Sequence, residues 1–383
     1  MNVYLDNSAT TKLDERVLEK MKPYFSEEYG NASSIHHMGQ RNYLVLSKCK
    51  EEIAKLINGD PESIIFTSCA TEANNLIIKG AAEKNEKKGK HILISAIEHP
   101  SVKKAAEAIK KYGFEVDLIP VDSDGIIDYE EMRGMVKPET ILISVMTVNN
   151  EIGSIQPIRE IAKFAKKKEI LFHTDAVQAV PYIDLDVNGW GIDFLSLSAH
   201  KFNGPLGVGL AYLADRRSVT PLIHGGGQEY NIRGGTYNIP GIVGMTEAMK
   251  LAYAEKDEYI SRVSELTQYL WERIQKEIDD VALNGGIEYR TPNNLNVMFR
   301  RIEGEAILMD LSSKGICVST GSACSATNLK ASSVLQAIGQ EDFNLNSNIR
   351  FSLGKFTTKE EIDYTVNHLS DTVKRLRSFT PIN

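Results

Sequence analysis

Between about residues 64 and 213 the sequence alternates short apolar runs with stretches of helical periodicity, and this alternation restricts the fold more than any other feature. The runs are Ile64 to Phe66, His91 to Ala96, Glu115 to Val121, Thr140 to Met146, Ile170 to Thr174, Phe194 to Leu197 and Gly207 to Leu213. Runs this short and this continuously apolar suit strands buried on both faces, as in a parallel sheet covered by helices. The expected architecture is α/β with a mainly parallel seven-stranded sheet. The glycine-rich stretch from Gly225 to Thr236 reads as an irregular functional loop. A long helical pattern from about Ile242 to Ile278 then leads to a smaller α+β domain beginning near Asn284.

In that second part the expected order is strand (Asn294 to Phe299), helix (Glu303 to Ser313), strand (Ile316 to Ser319), a loop around Cys324, helix (Ser332 to Ile338), strand (Ile349 to Ser352) and a final helix. Thr358 and Glu361 have the spacing of a capping box, and Ile362, Val366, Leu369, Val373 and Leu376 form one apolar face of the last helix. Lys374, Arg375 and Arg377 crowd its last turn, where positive charge suits the helix dipole.

A length of 383 residues accommodates about two domains. The net charge of −7 argues against a nucleic-acid partner, and no apolar stretch is long enough to cross a bilayer. Met1 to Asp6 lacks the features of a signal peptide, so the default location is cytoplasmic, with no membrane partner. The cysteines Cys49, Cys69, Cys317 and Cys324 form no CxxC pair and no zinc or iron–sulfur spacing, so no metal is expected and the four should be free thiols. The first three sit in contexts that suggest packing. Cys324 lies among small and polar residues, from Ser319 to Asn328, that leave little to bury it, and the stretch reads as a mobile loop.

Open α/β sheets bind ligands beyond the carboxyl ends of their strands. After Phe194 to Leu197 comes Ser198-Ala199-His200-Lys201, then the turn Gly204-Pro205-Leu206-Gly207. A lysine delivered into a dry site deprotonates more easily and attacks an aldehyde, whereas one left in solvent is only a surface charge. Asp175, following Ile170 to Thr174, suits the ring nitrogen of a pyridoxal phosphate, and Gln178 suits its phenolic oxygen; the plainer role for Asp175 is a helix cap. Thr67 to Glu72 lies where a strand turns into a helix, the natural seat of a phosphate. Thr71 there is either a phosphate ligand or an N-cap, and Ser198 and His200 add donors. His99, within Ile97 to Ser101, is a candidate to stack on a ring or move a proton, and Asn149-Asn150-Glu151 follows Thr140 to Met146 in the same way. Five strand ends thus present cofactor-type residues, and their convergence is more specific than any one motif.

The chain resembles the cysteine desulfurases of the NifS/IscS type. The resemblance lies in Tyr4 to Thr11, Thr71 to Asn75, Val148 to Gly153, Ser198 to Lys201, Arg233 to Thr236, Ser319 to Cys324 and Arg350 to Gly354, and it runs from Tyr4 to about Ser378. It implies a fold-type I, class V aminotransferase-like enzyme dependent on pyridoxal 5′-phosphate. A large cofactor domain would span residues 15–260, and residues 1–14 and 261–383 would form the small domain carrying the sulfur-acceptor loop. It further implies a homodimer with active sites at the subunit interface. The implied reaction takes sulfur from L-cysteine, leaves L-alanine and a persulfide on Cys324, and passes the sulfur to an iron–sulfur scaffold or another acceptor protein.

Carried over by motif, Lys201 binds the cofactor as a Schiff base, His99 stacks on the ring, and Asp175 and Gln178 hold its nitrogen and phenolic oxygen. Ala70, Thr71, Ser198 and His200 hold the phosphate, with Thr236 of the partner subunit completing the set. Asn150, next to the cofactor, and Arg350 hold the substrate carboxylate, a task that suits arginine's fork. Cys324 accepts the sulfur as a thiolate. Cys69 and Ala199 stand where glycine is frequent in the family, small-for-small changes, and Leu206 replaces a common lysine. The sequence ends at Asn383, soon after the last helix, so docking of a scaffold through a C-terminal extension is not expected. An aminotransferase or a selenocysteine lyase would share Lys201, Asp175 and the phosphate site; Cys324 argues against the former. Intact Lys201, Asp175 and Cys324 argue against a non-catalytic scaffold.

Overall fold

The computed structural model describes residues 1–321 and 332–379; Cys324 and the expected loop from Ser322 to Asn328 lie outside them. A short strand β1 (Val3–Tyr4) precedes the main sheet of β2 (Ile64–Thr67), β3 (His91–Ser95), β4 (Glu115–Ile119), β5 (Thr140–Ser144), β6 (Leu171–Asp175), β7 (Phe194–Ser198) and β8 (Gly209–Leu213). The strand order is β2-β8-β7-β6-β5-β3-β4. Strands β3 to β7 pair in parallel, while β8 is antiparallel to both its neighbours, β7 and β2. The connection from Ser198 to Gly209 is one 3-10 turn and a bend, too short for the crossover that a parallel partner requires. Because β8 reverses twice over, β2 runs in the direction of the parallel set.

The apolar runs are continuous because both faces are covered. In β7, Phe194 enters one core with Ile65, Ile92 and Ala211, and Leu195 and Leu197 enter the other with Ile64, Leu93 and Leu210. Helices Ala70–Asn85 and Pro100–Ile109 close the first core. Helices His37–Leu56, Ile158–Lys167 and Ile239–Ala254 close the second.

The C-terminal part is the smaller α+β unit. It contains β9 (Val281–Leu283), β10 (Asn294–Phe299), β11 (Ile316–Cys317) and β12 (Asn348–Ser352). The order β12-β10-β9 is antiparallel, and β11 pairs in parallel with β1. Val3 and Leu5 share its core with Leu270, Val297, Phe351 and the Ile362–Val373 face of helix Lys359–Ser378. The Thr358–Glu361 capping box is formed. The basic last turn is tied to neighbours: Arg375 pairs with Asp310, and Arg377 donates to the carbonyls of Asp279 and Asp280.

Three expectations change. The pattern from Ile242 to Ile278 is two helices, Ile239–Ala254 and Lys256–Glu277, divided at Glu255, whose carboxylate is held by Arg16 and Lys355. Strands β1 and β9, two and three residues long, carry too little periodicity to be recognised. Of the three cysteines expected to pack, only Cys49 is buried, and its thiol is pushed up to about 11 by burial. Cys317 is exposed on a two-residue strand at the end of a sheet pair, and Cys69 is half-buried at a cavity.

Candidate active site

With β2, β3, β5, β6 and β7 running one way, their carboxyl ends share an edge of the sheet. A cavity of about 280 Å³ lies there, close to the roughly 300 Å³ at which small-molecule sites begin. Ala70, Thr71, His99, Asn150, Asp175, Gln178, Ser198, His200, Lys201 and Arg350 all line it. Thr236 is exposed outside this cavity, in a depression shared with Ser68 and Arg233, and Cys324 is outside the described residues.

The Ala70–Asn85 helix begins at Cys69 without any side-chain cap, so the amides of its first turn are free to meet an anion at the cavity. Thr71 is therefore inside the helix and not its cap. Strand β8 approaches this start closely at Gly209, where a Cβ would lie 2.7 Å from the Cys69 carbonyl carbon. Glu72 faces away, bound by Arg233 and by the amide and hydroxyl of Ser68. His200 contacts Thr10 Oγ1 through Nδ1 at 3.1 Å. Burial, helped by the neighbouring Lys201 charge, pushes its imidazole down to about 4, so it is neutral at pH 7.

Asp175 is buried and held on both oxygens. Oδ1 accepts from the Val177 amide at 3.0 Å, a local turn bond close to the cap expected, and Oδ2 accepts from Asn74 Nδ2 at 2.8 Å. Asn74 Nδ2 also donates to Ser101 Oγ at 2.8 Å, and that hydroxyl is 2.8 Å from His99 Nδ1. Nδ1 accepts from the Ser101 amide, which makes His99 the N-cap of the Pro100–Ile109 helix and leaves the proton of a neutral ring on Nε2. Burial lowers the His99 pKa; the Asp175 charge opposes this, while those of Lys201 and Lys103 reinforce it. Glu98 is wholly buried, with Oε1 accepting from the Met146 amide at 2.5 Å and no partner for Oε2 among the described residues. Burial, then the nearby Asp175 charge, pushes its carboxyl well above the usual range.

The N-terminal segment closes the opposite side. Lys201 Nζ donates to the carbonyls of Ser8 and Ala9 at 2.6 and 2.8 Å, and Gln178 Nε2 donates to Ser8 at 2.9 Å. Arg350, on β12, donates from Nη2 to Asp6 Oδ1 at 2.6 Å and from Nη1 to the Asn150 carbonyl at 2.8 Å. Its Nε is buried with no partner among the described residues. An uncapped helix start, a fixed carboxylate, a lysine and an unsatisfied guanidinium donor suit a phosphorylated ring cofactor and an amino-acid carboxylate. Sequence reasoning assigned no role to Asp6, Ser8, Asn74, Glu98 or Ser101. Asn74 left one signal, a polar residue on the buried face of its helix one turn beyond Thr71.

The class-V aminotransferase model matches residues 3–365. A cysteine desulfurase IscS of Dictyoglomus turgidum is 47% identical over 379 residues, covering 99% of this chain and 96% of the relative. The chain belongs to the cysteine desulfurases of the class-V aminotransferase family. A cysteine desulfurase of Pongo abelii is 43% identical, covering 99% of this chain and 83% of the relative. Among solved structures, a NifS-like protein superposes with a TM-score of 0.93 at 39% identity, covering 98% and 100% of the two chains. SspA in complex with cysteine superposes with a TM-score of 0.83 at 34% identity, covering 93% of this chain and all of that one. As a member of this family the desulfurase uses pyridoxal 5′-phosphate. Among its described residues no helix is long and apolar enough to cross a membrane.

Proposed function

We propose that the cavity holds pyridoxal 5′-phosphate, that L-cysteine is the substrate and that Cys324 accepts its sulfur. The observation that carries this reading is the gathering of Lys201, Asp175, His99 and the uncapped start at Ala70 around one cavity. When bound, the cofactor supplies an aldehyde for an amine and an electron-poor ring that takes up charge from the substrate carbon. Asp175, braced by Asn74 and the Val177 amide, holds the proton of the ring nitrogen, and Gln178 donates to the phenolic oxygen. Ala70, Thr71, Ser198 and neutral His200 hold the phosphate. Lys201 would hold the cofactor through its aldehyde, and its free amine would move the proton at the substrate Cα. His99 covers a ring face and keeps its Nε2 proton for the reacting side. Asn150 and Arg350 hold the carboxylate, with the unpartnered Arg350 Nε as a ready donor.

The Cys324 thiolate then attacks the substrate sulfur. A sulfur–sulfur bond forms, the carbon–sulfur bond breaks with its electron pair left on carbon, and protonation there yields alanine. The reading includes a homodimer in which Thr236 of the partner subunit adds to the phosphate site; the exposure of Thr236 outside its own chain's cavity supports it. It includes the two domains expected above, a cytoplasmic location, and delivery of the persulfide to an iron–sulfur scaffold or another sulfur-acceptor protein. Mass spectrometry of the holoenzyme after L-cysteine tests the core of it. One added sulfur on Cys324, and loss of alanine formation in Cys324→Ala with the yellow colour retained, are the expected results. Sulfur on a different cysteine overturns the assignment, and a monomer by light scattering of the holoenzyme at micromolar concentration overturns the homodimer.

A further inference from the structure

Residues 322–331, which contain Cys324, connect Gly321 to Ser332; Ser332 bonds the carboxylate of Glu151, and Gly321 lies beside it. On one side Ser332 Oγ donates to Glu151 Oε2 at 2.5 Å while accepting from the amides of Val334 and Leu335, so the same hydroxyl caps the Ser333–Ala337 helix. On the other side Gly321 has φ +87, and a Cβ there would lie 3.2 Å from the same Oε2. The carboxylate thus crowds the position a side chain at 321 would take. Lys103 adds a second tie by donating to Ser333 Oγ at 2.9 Å.

Glu151 is itself rigidly held. Its carbonyl accepts from Asn294 Nδ2 and Asn296 Nδ2, and its amide donates to Asn149 Oδ1. The preceding residue, Asn150, lines the cavity and accepts from Arg350 through its carbonyl. Ser319 exchanges backbone bonds with Arg350 in both directions, so the chain approaching Gly321 is pinned to the same arginine. We propose that Glu151 is a positioning residue that fixes both roots of the Cys324-bearing segment to the turn holding the substrate. This rests on Cys324 being the sulfur acceptor. Bringing two chain ends to one point has an entropic cost, and a braced carboxylate that bonds Ser332 and packs beside Gly321 meets it before substrate arrives.

The test uses holoenzyme, with Glu151→Ala, Glu151→Gln and Ser332→Ala. Cysteine binding is followed by the change in cofactor absorbance, and single-turnover persulfide formation on Cys324 by mass spectrometry. Misplacing a reacting group by about 1 Å slows a step up to about a hundredfold, so persulfide formation should fall about ten- to a hundredfold in Glu151→Ala and in Ser332→Ala. Cysteine affinity should change less than about threefold, and Glu151→Gln, whose amide oxygen still accepts from Ser332, should recover to within about threefold of wild type. Hydrogen exchange at Val334 and Leu335, which needs no sulfur chemistry, should accelerate in Glu151→Ala and not in Glu151→Gln. Wild-type persulfide rates in Glu151→Ala, or equal loss of cysteine affinity and persulfide, overturn the positioning role alone. A wild-type enzyme without sulfur on Cys324 overturns the acceptor assignment beneath it.

Discussion

Asn74 shows how a residue without chemistry of its own organises two that have it. Its Nδ2 group reaches both Asp175 and Ser101, and through Ser101 the tautomer of His99. Asn74→Leu removes a donor to a buried carboxylate, a loss of about 1–3 kcal/mol, and should weaken cofactor binding about tenfold or more in equilibrium dialysis. Glu98 gives a pH-dependent prediction. Its folded-state carboxyl holds its proton to higher pH than the unfolded chain does, so its contribution is fully present below the unfolded value near 4.3 and is lost as pH rises towards the folded value. Glu98→Gln should therefore lose less stability than wild type between pH 5 and pH 8 in chemical denaturation, whereas Glu98→Ala leaves the Met146 amide unpaired and should cost about 1–3 kcal/mol. The candidate residues on strand ends were legible because each followed an apolar run. Asp6 and Ser8 were not, since nothing in their own segment reveals that Arg350 and Lys201 reach them.

Among the elements, the junction of β8 with the Ala70–Asn85 helix joins packing to binding. Gly209→Ala would place a methyl group 2.7 Å from both the Cys69 carbonyl carbon and the Leu197 oxygen. The strand or the helix start must then move, at about 1–3 kcal/mol of stability, and cofactor affinity should fall with it, as fluorescence titration would register. In the small unit, Thr358→Ala removes one half of the capping box and should lower stability by about 1 kcal/mol in urea denaturation without affecting cofactor binding. Strand positions in the main sheet were legible because period and length agree for elements buried on both faces. The division at Glu255 was not. No glycine or proline interrupts the pattern there, and the Glu255 carboxylate at the break is held by Arg16 and Lys355 from distant segments.

Over the whole molecule, the parallel sheet carries a buried histidine that sets an acid limit. His173, on β6, lies between Ser144 Oγ at 2.8 Å and Ser196 Oγ at 3.1 Å, and complete burial pushes it down to about 3. The unfolded chain binds this proton near pH 6.5, so stability is unaffected above that value and falls as pH drops from about 6.5 towards 3, by up to about 5 kcal/mol. Denaturant midpoints should decline over that interval, and His173→Gln, which retains hydrogen-bonding capacity towards both serines, should flatten the decline. The two cores are joined by a charged cluster in which Arg16 and Lys355 each bind both Asp14 and Glu255. The Arg16 guanidinium holds Asp14 well below the usual carboxylate range, and the Lys355 ammonium reinforces it.

By itself the sequence determined the layered α/β architecture, the mainly parallel sheet and the strand ends that line the cavity, because periodicity and turn chemistry are local and repeat along the chain. Tertiary structure alone decided the pairing of β8 with β2, the break at Glu255, the bracing of Asp175 and His99 through Asn74, and the meeting of Gly321 and Ser332 at Glu151. Each of these depends on groups far apart in the chain, and burial gives their hydrogen bonds and charges an energy that no local pattern encodes.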